Sequence, residues 1–584
     1  MTIFEKNLKI IQEDRPLLYS VIMSYNPKEQ IYLGDALYNG QFMAIEREGQ
    51  MVAMQSTYDP EHEADAYIRQ FSKIKESANI VLFGFGDGEI VRRLLSREEF
   101  CTECIVFEPS IDIFNMVLHN YEIEDILGNP RFDICIVGED DDACKEIMYQ
   151  KVSLYNYKSF RYHVLSKYSE LFSDKEKNIR QNFEWVCDYM QANYNTMVRF
   201  AFRGPTNSIF AFRYFLHAKN VYGIKPYLRS DIPCFIISAG PSLHKNIQQI
   251  KRAKGKSFLI CVDSAANFCI EEGIIPDAIC IVDPVKGDFF SLDERLHKIP
   301  ILVCTAADHR YLNKIGMPEI MYFSIDCKIH NQILQEYEYQ LPYNDKMGSV
   351  AISAFQLAVE LGFHTIIMMG QDLAYSGNQM YVGENNESIL NKLKSTIEAW
   401  GLYEAEGYDG GTVYTTGDFY AYIEWYADYI SRLEDRNIIN STEGGARIPG
   451  ALQMTAEEAI DKYCITEFDF SKVYHELPYM VDPARDIDSY MMRLQTYHKK
   501  LVVLCDRISR LTSNDHNIQQ IIDQVQYGDF SDLFHRNMIE AEIEYLNTSN
   551  SDHYIESLKQ TGKFIKETWQ QMMEEIECLY LKKI

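Results

Sequence analysis

The residues best placed to do chemistry follow apolar runs. Gly240-Pro241-Ser242 comes after Cys234–Ser238 and ahead of a helix, where backbone N–H groups and a hydroxyl suit a phosphate. Asp263-Ser264 follows Phe258–Val262, and Asp283-Pro284 follows Ala278–Val282. Gly348-Ser349 opens a helix after Asn344-Asp345-Lys346. Gly370-Gln371-Asp372-Leu373-Ala374-Tyr375 follows Thr365–Met369, with Tyr381 further along, and Glu443-Gly444-Gly445 follows a run near Ile438–Ile439. A single aspartate after a strand is ordinarily a turn or cap residue. Several such groups at one edge of one sheet line a cleft of hydroxyls, carboxylates, amides and phenols.

The elements that must position them read as strands alternating with helices. Strands are expected at Cys234–Ser238, Phe258–Val262, Ala278–Val282, Ile301–Cys304, Met321–Ser324, Thr365–Met369 and near Ile438–Ile439. Val350, Ala354, Leu357, Ala358 and Leu361 form one apolar helical stripe. This pattern predicts a doubly wound, mostly parallel sheet with its ligand site at the C-terminal strand ends. Upstream, Ile80–Phe83 leads into Gly84-Phe85-Gly86-Asp87-Gly88, and a second strand, Cys104–Phe107, ends at Glu108. This segment looks like the first motif of Rossmann-like methyltransferases. It either binds a cofactor through its glycines and acid or is a Rossmann-like unit without one. The stretch Tyr162–Tyr194 reads as amphipathic helix, and strand signals fade after Met454. The expected organisation is an N-terminal α/β Rossmann-like domain with a helical bridge over 1–205, a central α/β domain with a parallel sheet over 206–453, and an all-helical domain over 454–584.

Composition narrows the function classes. The formal net charge of −28 argues against nucleic acid and anionic lipid as partners. No stretch approaches a membrane span, and the N-terminus lacks the basic start and apolar run of a signal peptide. The expectation is therefore a cytoplasmic chain with its 14 cysteines reduced. The single CxxC, Cys101 to Cys104, has no partner pair at zinc-finger spacing. Asp140-Asp141-Asp142 reads as a solvated acidic loop.

Ser238-Ala239-Gly240-Pro241-Ser242-Leu243, the stretch from Gly273-Ile274-Ile275-Pro276-Asp277 to Asp283-Pro284, Gly348-Ser349-Val350 and Gly370-Gln371-Asp372-Leu373-Ala374-Tyr375 together resemble the motility accessory factor (Maf) family of flagellin glycosyltransferases. The resemblance is strongest over 205–455. It implies transfer of a nonulosonic acid, pseudaminic or legionaminic, from its CMP-activated form to Ser or Thr of flagellin. The central region is also similar to bacterial CMP-sialic-acid sialyltransferases, which implies a GT-A/sialyltransferase-like fold. Those enzymes carry two tyrosines, six apart, that hold the leaving phosphate, and Tyr375 and Tyr381 match that spacing. Two positions depart from the pattern. Ala239 stands where they have an amide, and Thr415-Thr416-Gly417-Asp418 stands near their catalytic histidine.

The resemblance implies that the Gly240–Ser242 turn, Gly348-Ser349 and the two tyrosines face the phosphate. Asp263, Ser264 and Asp283 would take ribose or base, and Gln371 and Asp372 would lie near the sugar. Asp372 and Asp418 are the candidate bases for the acceptor hydroxyl. With one phosphate leaving and no Asp-x-Asp clamp at Asp283, no metal or other cofactor is expected. Two alternatives stand beside this. One is an ATP-dependent enzyme like the archaeal 6-hydroxymethylpterin diphosphokinases, which share the central motifs. The other is a non-catalytic flagellin-binding protein with a vestigial nucleotide cleft.

Overall fold

The computed structural model describes all residues except 48, 72–77, 99–100, 139–140, 286–293, 315–318, 344–347, 376–401, 514, 549–550 and 582–584. The described residues form two compact units, Met1–Tyr194 and Asn195–Ile584, each with its own hydrophobic core.

In the first unit, β1 (Ile31–Asp35), β2 (Gln41–Arg47) and β3 (Gln50–Ala53) make an antiparallel sheet. The strands β4 (Ala78–Phe83), β5 (Cys101–Glu108), β6 (Phe132–Ile136) and β7 (Phe160–Val164) make a parallel sheet in the order β6-β5-β4-β7. The expected helix over Tyr162–Tyr194 is corrected here. Its first residues belong to β7, and the long helix begins only at Ser173. Phe160-Arg161-Tyr162-His163-Val164 is rich in aromatic and β-branched residues and completes the edge of β4. The expectation that every thiol is reduced is also corrected, because Cys135 and Cys144 are joined as a disulfide. The end of β6 and the helix after it bring their Cα atoms within 5.7 Å, an ordinary span for such a bond.

In the second unit the main sheet contains β8 (Lys219–Asn220), β9 (Cys234–Ile237), β10 (Phe258–Val262), β11 (Ala278–Ile281), β12 (Ile301–Cys304), β13 (Ile320–Ser324) and β14 (Thr365–Met369). A hairpin of β15 (Tyr403–Glu406) and β16 (Thr412–Thr415) stands apart from it. The strands β17 (Asn437–Asn440) and β18 (Leu452–Gln453) complete the sheet, whose order is β18-β17-β14-β9-β10-β11-β12-β13-β8. All its paired neighbours are parallel. Strands β9 to β14 are buried throughout and apolar except for Ser324 and Thr365 at strand ends, as a sheet covered on both faces requires.

The chain lays β10 to β13 on one side of β9, then returns to place β14 on the other. The crevice beyond β9 and β14 is therefore the topological switch point, where such sheets bind ligands. The apolar stripe from Val350 forms the Val350–Leu361 helix, which Gly362 ends at φ 98°. From Ala456 onward the described elements are helices. They share the core of the sheet; Trp569, for example, lies 5.2 Å from the Phe212 ring, centroid to centroid. Among the described residues no helix is long and apolar enough to cross a membrane.

Candidate functional site

A cavity of about 320 Å³ opens at the switch point. Its walls bring together Gly240, Asp263, Ser264, Asp283, Gly348, Ser349, Gln371, Asp372 and Asp418, nine of the residues singled out in the sequence. Each stands just past a strand or at the start of a helix. The helices Asp263–Glu271, Val350–Leu361 and Gly417–Ser431 all begin at this wall. Their positive N-terminal poles face a space lined by four carboxylates. Ser349 caps its own helix, its Oγ accepting from the Ala351 N–H at 3.3 Å.

The loop after β14 is pinned from several sides. Ser238 Oγ donates to Gln371 Oε1 at 2.6 Å, and the Gln371 N–H donates to Thr442 Oγ1 at 3.1 Å. The Ala446 N–H donates to the Asp372 carbonyl, and Thr415 Oγ1 donates to the Leu373 carbonyl. Leu373 is held at φ 49°, a left-handed conformation that a non-glycine residue keeps only when its surroundings enforce it. Gly240 is required by contact, since a Cβ there would overlap Asp372 Oδ1 and the Gly370 carbonyl.

The Gly240-Pro241-Ser242 turn differs from the open phosphate cradle expected of it. Ser242 Oγ donates to Asp372 Oδ1 at 2.6 Å, and the Ser242 N–H donates to Oδ2 at 3.2 Å. The turn thus spends these donors on a carboxylate of the neighbouring loop, and neither Pro241 nor Ser242 is in the cavity wall. Burial raises the Asp372 pKa above its ordinary value, while the Ser242 bonds oppose that rise. Asp418 is placed differently. It lines the cavity in the first turn of its helix and accepts from Thr416 Oγ1. Tyr375 is set back from the wall with its ring beside Phe419, 6.3 Å between centroids, and burial raises its pKa. Tyr381 and Asn344-Asp345-Lys346 lie outside the described residues, as does Asp140.

Several wall residues carried no sequence signal. Thr196 comes from the end of a helix far upstream and Phe200 directly follows it, while Phe419 and Tyr422 come from the helix that carries Asp418. The Tyr422 hydroxyl donates to the Gly348 carbonyl and ties that helix to the start of Val350–Leu361.

Two other clusters have the residue types of a ligand site. Asp326, Cys327 and His330 bring potential metal-binding atoms within 4.8 Å of one another. However, Asp326 accepts from Ser208 and Thr305, and both His330 ring nitrogens face carbonyl oxygens, of Cys327 at 2.9 Å and Ser208 at 2.8 Å. These atoms brace the sheet edge and are not open to an ion. In the first unit, Glu108 is fully buried and accepts from the Phe85 and Ser110 N–H groups and the Tyr168 hydroxyl. The same hydroxyl accepts from the Gly86 N–H, and the Tyr168 ring fills the space beside Gly84. Tyr168 thus occupies the place where the glycines and acid of such a motif would meet a cofactor.

A family model described as 6-hydroxymethylpterin diphosphokinase MptE-like matches residues 206–378. Two uncharacterised proteins of Treponema pallidum (strain Nichols) are each 24% identical to this chain. One match runs over 127 residues, 22% of this chain and 59% of the relative; the other runs over 248 residues, 41% of each. The chain thus spans about half the length of these relatives. Among solved structures, a Maf glycosyltransferase from Magnetospirillum magneticum AMB-1 aligns over 99% of this chain and 95% of that one. The TM-score is 0.53 and the identity 13%. The chain has the Maf glycosyltransferase fold. That likeness runs nearly end to end, through the first unit, the switch-point sheet and the terminal helices.

Proposed function

We propose that this chain is a glycosyltransferase that moves a nonulosonic acid, pseudaminic or legionaminic, from its CMP-activated donor to Ser or Thr of flagellin. The observation that carries the reading is the convergence of nine sequence-selected residues on one switch-point cavity, within a fold shared with a Maf glycosyltransferase. In this reading Asp263, Ser264 and Asp283 hold the nucleoside, and the start of the Val350–Leu361 helix faces the phosphate. Gln371 lies beside the sugar. The acceptor oxygen bonds to the anomeric carbon as the bond from that carbon to the phosphate oxygen breaks. CMP leaves with the electron pair, and the acceptor's proton passes to a carboxylate.

Asp418 is the better-placed base, because it faces the cavity while both oxygens of Asp372 are engaged by Ser242. Asp372 then positions the turn. Tyr375 and Tyr381 are assigned to the leaving phosphate. The reading calls for no metal or other cofactor and places the reaction in the cytoplasm. Asp418→Asn is expected to cut sugar transfer to co-expressed flagellin, read as a mass increase, by about 100-fold or more while CMP binding persists. Unchanged transfer would remove Asp418 from the mechanism.

A second reading has its own support. The family model matched over 206–378 is named for a pterin diphosphokinase. There Asp263 and Asp283 would hold Mg²⁺ with ATP. Stabilisation by ATP with Mg²⁺ and none by CMP would favour it.

A further inference from the structure

The cavity wall contains four carboxylates and, among the described residues, no lysine or arginine. A CMP-nonulosonate brings two anions, a phosphate and a carboxylate on the same anomeric carbon. Helix N-termini serve the first. The second needs a cation, in a chain whose formal charge is −28.

Two arginines are positioned to supply it. Thr196 and Phe200 both line the cavity. Phe200 N–H donates to the Thr196 carbonyl at 3.1 Å and Gly204 N–H to the Phe200 carbonyl at 3.0 Å, across the short turn between the Ser173–Arg199 and Arg203–Phe215 helices. Arg199 therefore ends one helix and Arg203 begins the next, on either side of Phe200. The Arg199 guanidinium lies 5.3 Å from the centroid of the Phe200 ring, itself part of the wall. Arg203 falls between Phe200 and Asn207, and Asn207 donates to the carbonyl of Pro284, another wall residue, at 3.1 Å. Both arginines are exposed, and neither has a carboxylate partner among the described residues. This contrasts with Arg213, paired with Glu575 at 2.6 Å, and Arg310, paired with Asp308 at 2.6 Å.

Resting on the CMP-sugar reading above, we infer that Arg199 and Arg203 form the recognition element for the donor sugar's carboxylate at the cavity mouth. They make the site selective for an acidic sugar. Guanidinium and carboxylate match as planar, bidentate partners, which a helix pole cannot reproduce.

The test is calorimetric titration of the full chain with CMP and with CMP-3-fluoro-N-acetylneuraminic acid, a donor that resists hydrolysis. Wild type is expected to bind the sugar nucleotide more tightly than CMP. Arg199→Gln/Arg203→Gln should weaken the sugar nucleotide about tenfold or more and CMP by less than about twofold. Arg203→Lys should recover part of the loss, and the melting temperature of each variant shows that it folds. Equal weakening of both ligands, or of neither, would overturn the carboxylate assignment while leaving the nucleotide cleft intact. A wild type that binds neither ligand would instead overturn the CMP-sugar reading, and this inference with it.

Discussion

Ser242→Ala probes the contact that closes the switch point. The substitution deletes the hydroxyl that donates to Asp372 Oδ1 at 2.6 Å and leaves the carboxylate the weaker Ser242 N–H at 3.2 to 3.4 Å, its own backbone N–H and the Lys245 charge. Both residues are buried, which restricts the water that could replace the lost donor. A hydrogen bond to a buried charged group is worth roughly 1.5–3 kcal/mol. Burial has already raised the Asp372 pKa, and the hydroxyl works against that rise, so its loss raises the pKa further. For a carboxyl whose folded-state pKa is raised, the contribution to stability is fully present below the unfolded value and declines as pH rises through the folded value. The penalty of Ser242→Ala therefore grows toward alkaline pH. A double-mutant cycle of Ser242→Ala and Asp372→Ala, followed by urea unfolding, is the assay. The fluorescence of Trp425 and Trp569 reports on the second unit. Coupling of roughly 1.5–3 kcal/mol is expected near pH 8, declining as pH falls through the Asp372 pKa. Coupling below ~0.5 kcal/mol near pH 8, or coupling that grows toward acid, would refute the reasoning.

Other substitutions bear on neighbouring parts of the structure. Gly445 sits at φ 70° with its Cβ position overlapping the Asp372 backbone, so Gly445→Ala should cost at least ~2 kcal/mol in the same unfolding assay, and a cost near zero would contradict the close approach. Burial raises the Glu108 pKa from 4.5 to about 7, so the first unit should lose about 3 kcal/mol as pH climbs across that range. Glu108→Gln should flatten the loss, read by Trp185 fluorescence, and an unchanged slope would assign it to other groups. Tyr375→Phe is expected to lower kcat for transfer by about 10- to 100-fold with donor KM nearly constant; unchanged kcat would remove the hydroxyl from leaving-group stabilisation.

The strand ends were legible because parallel strands buried on both faces carry unbroken apolar runs, and the first polar residue past each run marks the edge where ligands bind. Asp263, Asp283 and Gln371 were found this way, and the apolar period of Val350 to Leu361 located the helix that starts at Ser349. Contacts made between loops distant in sequence left no such trace. Nothing in Gly240-Pro241-Ser242 announces that Asp372, 130 residues on, will take its donors. Thr196 and Phe200 look like any helical residues until the chain folds back over the sheet. Tyr168 carries no mark in the sequence, yet its ring fills the space beside Gly84. Phe160 to Val164 is too short for period alone to separate strand from helix, and pairing with β4 decides it.

The most direct test of the nucleotide assignment is thermal unfolding of the full chain with millimolar CMP, with millimolar ATP and Mg²⁺, and with neither. A ligand that binds only the folded state at about 100 times its Kd adds ~2.7 kcal/mol of stability. A raised melting temperature with CMP and none with ATP and Mg²⁺ is the expected result. A rise with ATP and Mg²⁺ alone would contradict the account.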